Sequence, residues 1–104
     1  MEQFILYKDR LISPVSIHGY PNYGVTDTGM VWSFARNRPL HGFITPGGYR
    51  GVTLSRFGKP KTCLVHRLVY EAHVGRFNPY NVVKHINGIR TDNQVENLRL
   101  IECI

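Results

Sequence analysis

The chain has 104 residues and a formal charge of +6, from thirteen Lys and Arg against seven Asp and Glu, with a pI near 9.7. A domain of this length buries roughly 60–70% of its unfolded surface, enough for one core without staples, and a hydrophobic content of 42% excludes wholesale disorder. No apolar run approaches the ~18 residues of a membrane span. No basic leader precedes an apolar stretch at Met1-Glu2-Gln3-Phe4, so no signal peptide is expected. Cys63 and Cys103 lack the C-x-x-C spacing of structural zinc and read as two reduced thiols of a cytosolic protein.

In chain order, Phe4-Ile5-Leu6-Tyr7, followed by Lys8-Asp9-Arg10 and then Pro14, predicts a short edge strand or ordered arm. From Tyr20 to Leu54 turn residues punctuate the chain: Pro21-Asn22, Asp27-Thr28-Gly29, Arg38-Pro39 and Pro46-Gly47-Gly48. The runs between them, Tyr23-Gly24-Val25, Met30 to Phe34 and Tyr49 to Leu54, are rich in aromatic and β-branched residues and read as antiparallel strands. Phe57-Gly58-Lys59-Pro60 reads as a further turn and Lys61 to Val65 as the returning strand of a hairpin. His66 to Val74 is the one clear helix, with Leu68, Val69, Ala72 and His73 on one face and Gly75 as its stop. Asn81 to His85 reads as a strand, Asn87-Gly88 and Asp92-Asn93 as turns, and Leu98 to Ile101 as a closing strand. No internal repeat or low-complexity segment interrupts this order.

Three motifs, in order, carry a resemblance. Tyr23-Gly24-Val25-Thr26-Asp27-Thr28-Gly29-Met30-Val31-Trp32-Ser33, with Gly48 to Leu54 as its second strand, resembles a small module that accompanies HNH endonucleases of phages and mobile introns. Val65-His66-Arg67-Leu68-Val69 is similar to the helix start that precedes the metal finger of those enzymes, and Val83 to Leu98 resembles the finger loop itself. The resemblance implies an α+β fold: a small antiparallel sheet with hairpins, one central helix and a ββα-metal (His-Me) finger. It divides the chain into a β-rich module over 1–62 and a helix plus finger over 63–104. The family's third signature residue lies on a helix beyond Asn97, so a chain ending at Ile104 is expected to hold an incomplete finger.

By the same resemblance His85 is the base that activates water for attack on a DNA phosphodiester, and Asn97 orders the loop around it. Such cleavage needs a hard cation, Mg or Mn, on oxygen ligands. Where the family carries a ligand aspartate this chain has Lys84. A lysine ~4 Å from a divalent ion at an effective dielectric near 20 is repelled by ~8 kcal/mol. Asp92 reads as a turn former, with a replacement ligand as the alternative; no cofactor is expected unless the site is active. His66 reads as a helix-start residue contacting backbone, or as a second histidine near the site, and Trp32 reads as core.

Nine of the thirteen basic residues are arginine, whose planar fork suits phosphate better than the point charge of lysine. Arg36, Arg38, Arg50, Arg56, Lys59, Lys61, Arg67, Arg76 and Lys84, with Tyr49 and Phe57 interleaved, are the expected nucleic-acid or anion-binding residues; a solvated sheet face is the alternative. The leading expectation is therefore an HNH-like phage protein that binds DNA or another phosphate-rich ligand in the bacterial cytoplasm, with weak or lost cleavage. Two alternatives stay open: an active endonuclease that completes its site through a dimer or unusual ligands, and a repurposed fold that binds a host defence protein or an anionic nucleotide.

Overall fold

A computed structural model describes residues 4–102. Strands β1 (Ile5–Tyr7) and β2 (Arg10–Ile12) form a separate two-stranded hairpin. Strands β3 (Val15–Ile17), β4 (Tyr20–Val25), β5 (Val31–Ser33) and β6 (Arg38–Leu40) follow one another in a four-stranded antiparallel sheet. Strands β7 (Phe43–Ile44), β8 (Arg50–Arg56) and β9 (Lys59–Leu64) form a three-stranded sheet that leads directly into helix α1 (Val65–His73). Strands β10 (Val82–His85) and β11 (Leu98–Ile101) close the chain as an antiparallel ribbon, joined by a loop that ends in a 3-10 turn at Val95–Asn97. No helix among the described residues is long and apolar enough to cross a membrane.

This is the expected α+β arrangement, and its departures have physical causes. The segment expected as an arm is a hairpin, because Lys8 and Asp9 both take positive φ and close a two-residue turn. Arg38-Pro39, expected as a turn, lies in β6, and Pro60, also expected in a turn, lies in β9. Both are edge strands, where a residue without an N–H removes no ladder bond from the sheet interior. The helical face is also rotated from the expected one: Val65, His66 and Val69 are buried, whereas Leu68, Ala72 and His73 are only half-buried.

Val65 and Val69 sit in one core with Ile17 and Val25 of the first sheet, Val52 and Leu54 of the second, and Val83 and Leu98 of the ribbon. Each such side chain contributes about 1.5–3 kcal/mol by leaving water, and α1 touches the four-stranded sheet, the three-stranded sheet and the closing ribbon. A two-stranded ribbon alone is marginal, so β10 and β11 depend on this contact. Trp32 is buried beside the edge of Tyr7, with ring centroids 5.4 Å apart. His73 donates from Nε2 to the Val25 carbonyl at 2.8 Å, tying the end of α1 to β4.

A second tie joins the ribbon to the first sheet. The β4–β5 turn holds Gly29 at φ +96, and a Cβ there would lie 2.9 Å from Asn93 Cβ and 3.2 Å from the Asn93 carbonyl oxygen. Beside it, Val95 N–H donates to the Asp27 carbonyl at 2.8 Å. Gly29→Ala therefore meets both a disfavoured φ and backbone that cannot give way. We expect it to cost about 1–3 kcal/mol, read as a lower midpoint in chemical denaturation; an unchanged midpoint would show that the turn and the loop separate freely.

Candidate active site and nucleic-acid interface

His85 ends β10 on the inward face of the ribbon, opposite Leu98, and is 4% exposed. Its Nε2 lies 2.8 Å from Oδ1 of the equally buried Asn93. A carbonyl oxygen only accepts, so Nε2 carries the hydrogen and, in the neutral ring, the lone pair is on Nδ1. His66, in the first turn of α1, brings its ring to within 4.9 Å of that of His85 and stacks on Tyr49 at 5.1 Å. Of the two readings open for His66, the packing selects the second histidine beside the site. Its Nδ1 is buried without a hydrogen-bond partner. Burial first, then the charges of His85 and Arg67, push its pKa down to about 4, so His66 is neutral near pH 7.

Asn97 organises the loop that follows His85. Its Oδ1 accepts from the Asn87 N–H at 3.1 Å, and its Nδ2 donates to Asn87 Oδ1 at 3.0 Å and to the Asp92 carbonyl at 2.8 Å. The Asn97 carbonyl accepts from Ile86 N–H at 2.8 Å. Asp92 is occupied within the same network: Oδ2 accepts from Asn87 Nδ2 at 2.8 Å and Oδ1 from Gln94 Nε2 at 3.3 Å. Lys84 points away from the buried face, directly across the ribbon from Arg99. Among the described residues no three His, Cys, Asp or Glu side chains converge on a point that could hold a metal ion. With Lys84 at the ligand position and Asp92 committed to amides, the described residues do not by themselves fit a divalent cation.

An open groove runs beside His85, lined by Tyr49, Val82, Lys84, Arg90 and Ile101 among others. Arg90 lies 5.0 Å from the Tyr49 ring and donates to the Gly47 carbonyl. A second groove, lined by Tyr20, Lys61, Cys63, Arg67 and Phe77 among others, touches neither His66 nor His85. Cys63 in that groove has its pKa raised by burial, partly offset by Lys61, and is a free thiol with little thiolate. Cys103 lies outside the described residues.

The other expected anion-binding residues divide into two kinds. Arg67 donates to the carbonyls of Asn81 and Pro79 at 3.0 and 3.2 Å and lies over Phe77, so its guanidinium staples the loop after α1. Arg50 donates to the His41 carbonyl at 2.6 Å and Arg56 to the Gly19 carbonyl at 3.0 Å, each with guanidinium nitrogens left over. Arg36, Arg38, Lys59, Lys61, Arg76 and Lys84 are exposed. Of these, only Lys84 lines the groove beside His85. Sequence reasoning passed over Arg90, Arg99 and the role of Asn93. The strand register reveals Arg99, but a buried amide inside a polar loop leaves no mark in a single sequence.

Residues 63–102 match the family model described as HNH endonuclease. The chain is 36% identical over 86 residues to the DNA endonuclease I-HmuI of Bacillus phage SP01, covering 82% of this chain and 49% of that protein. It is also 36% identical over 80 residues to an uncharacterized HNH endonuclease of Acanthamoeba polyphaga mimivirus, covering 76% of this chain and 20% of that one. The solved structure titled for DNA binding and cleavage by the HNH homing endonuclease I-HmuI superposes with a TM-score of 0.77 over 83% of this chain and 50% of that chain, at 36% identity.

The chain belongs to the HNH homing-type endonuclease family. It spans about half or less of the length of these relatives. Within an HNH fold, the Asn97 network sets the shape of the loop on which His85 and Asn93 face each other. Asn97→Ala leaves the Asn87 N–H and the Asp92 carbonyl without their partner and should cost about 1–3 kcal/mol. Thermal unfolding checks this; an unaltered midpoint would mean that solvent replaces those bonds at no cost.

The buried His66 gives a separate expectation. Its folded pKa, about 4, is below the ordinary 6.5, so between those values the unfolded chain binds more protons than the folded one. Stability is therefore highest above pH 6.5 and falls as the pH drops toward 4, by up to about 3 kcal/mol. His66→Phe, which keeps a ring against Tyr49 but cannot titrate, should flatten this acid limb in denaturant titrations at pH 4.5 and 7.

Proposed function

We propose that this HNH protein binds DNA through its exposed arginines and lysines and cleaves it weakly or not at all. The observation that carries the reading is the pairing of a formed His85–Asn93 contact with a neighbouring groove whose charged lining is Lys84 and Arg90 rather than carboxylates, with Arg99 opposite Lys84 on the outer face of the ribbon. Like charges directly across a ribbon, as Lys84 and Arg99 are, weaken it unless an anion lies between or above them. A phosphodiester backbone supplies that anion, and I-HmuI, whose structure this fold matches, is a homing endonuclease that binds and cleaves DNA.

The retained base supports a second reading, an active endonuclease. His85 keeps an Nδ1 lone pair and a partner that orients its ring, so the proton-accepting half of phosphodiester hydrolysis has its group in place. Oxygen ligands for Mg or Mn would then come from another copy or from residues other than those described. One experiment separates the two: supercoiled plasmid incubated with Mg²⁺ or Mn²⁺, with His85→Ala as control. The first reading expects nicking no faster than the control; metal-dependent nicking abolished by His85→Ala selects the second.

Binding itself is tested by anisotropy on random duplex DNA across a salt series. With about four phosphates neutralised, log K should fall against log salt with a slope near −3.6. Replacing Lys84 and Arg99 by Ala together should flatten that slope by about two and weaken all sequences alike, because phosphate contacts position rather than specify. Absence of binding at low salt would sink the DNA reading.

A further inference from the structure

Strands β8 and β9 meet at a two-residue turn, Phe57-Gly58, closed by the Arg56–Lys59 pair. Both turn residues have positive φ, +52 at Phe57 and +73 at Gly58. Such a turn calls for Asn, Asp or Gly at its first position, and a bulky side chain there is an outlier. The same Phe57 is 92% exposed, more than any other large hydrophobic residue described. Neither the turn nor the core gains from a phenyl ring at this position, and both backbone strain and solvation count against it. A residue that costs the fold twice, at the tip of a projecting hairpin, marks a contact made outside the chain.

The chemistry beside it identifies that contact. Alternation along β8 puts Arg56 on the face that buries Val52 and Leu54, and the register sets Lys59 opposite Arg56 and Lys61 opposite Leu54. Three cations thus line one face of the hairpin below the ring. Arg56 is already fixed, donating to Gly19 and lying 5.2 Å over Tyr20, and it stands 6.0 Å from the Phe57 ring. An exposed aromatic ring framed by cations matches a partner whose flat apolar rings alternate with phosphates. The same strand starts beside Tyr49, which lines the groove at His85. From Tyr49 to Phe57 an extended strand covers ~26 Å, the length of about eight base steps.

We propose that the β8–β9 hairpin tip is a wedge that inserts the Phe57 ring at a base step of duplex DNA, with Arg56, Lys59 and Lys61 on the adjoining phosphates. The inference rests on the DNA-binding reading above. Insertion unstacks the step and bends the duplex, as apolar wedges do elsewhere.

The test uses the full chain and a random-sequence duplex carrying 2-aminopurine at several interior positions, whose fluorescence rises when its stack opens. Saturating wild-type protein should raise the signal about twofold or more. Phe57→Asn, which suits the positive φ, should melt no lower than wild type yet give no rise and bind about tenfold more weakly, with the salt slope unchanged. Lys59→Ala with Lys61→Ala should flatten the slope while keeping the rise at saturation. Binding by the wild type without a rise, or a full rise with Phe57→Asn, overturns the wedge and leaves the DNA-binding reading standing. No anisotropy change with any duplex at low salt overturns both. Phe57-dependent binding to phosphatidylserine vesicles, without a 2-aminopurine response, would assign the tip to membranes and overturn the wedge.

Discussion

The site depends on a contact between parts of the chain far apart in sequence. The β4–β5 turn brings Gly29 against Asn93, and Asn93 receives the Nε2 hydrogen of His85. Without a Cβ at position 29 the backbone of the finger loop seats on the turn, and Val95 hydrogen-bonds Asp27 there. That seat fixes Asn93, Asn93 fixes the His85 tautomer, and the tautomer decides which nitrogen can accept a proton. The small β module is thus the floor on which the finger loop lies, and its glycine is a structural requirement of the site.

The basic residues divide by what their nitrogens do. Arg67 spends two donors on the loop after α1, and Arg50, Arg56 and Arg90 each spend one on a carbonyl of a neighbouring segment. Arginine can do this and still bind an anion, because five donors in a rigid fork exceed what one carbonyl uses. Lysine at the same positions would swing free and leave those carbonyls to water. The bias of this chain toward arginine therefore has one visible cause, staples for loops that a small core cannot reach, and the proposed phosphate contacts would be a second. Charge counts alone do not separate them.

The core helix, the closing ribbon and most strands were legible in the sequence, because their apolar periods of 3.6 and 2 are imposed by the one face each buries. The finger loop was legible because Asn87, Gly88, Asp92 and Asn97 are residue types whose side chains bond nearby backbone. What escaped had tertiary causes. Pro39 and Pro60 read as turns until their strands are known to be edges. The buried side of α1 centres on Val65 and Val69 because three sheets converge there, and no single-helix pattern encodes their directions. Asn93 looks like any turn asparagine until Gly29 closes over it. For His66 both the helix-start and the second-histidine reading fitted its position; only the packing of Tyr49 and His85 against it decides between them.

The neighbourhood of His85 fixes which ring nitrogen carries its hydrogen, because Asn93 accepts from Nε2. His66, whose ring lies 4.9 Å away, is kept neutral near pH 7 by burial and then by the charges of His85 and Arg67. The groove side carries the opposite character, with Lys84 and Arg90 beside Tyr49 and Arg99 across the strand. Cations in that position would attract an anion but offer no oxygen to a divalent ion. Here a histidine of fixed tautomer stands beside a groove whose charged lining is cationic, a pairing that favours an anion over a divalent cation as its neighbour.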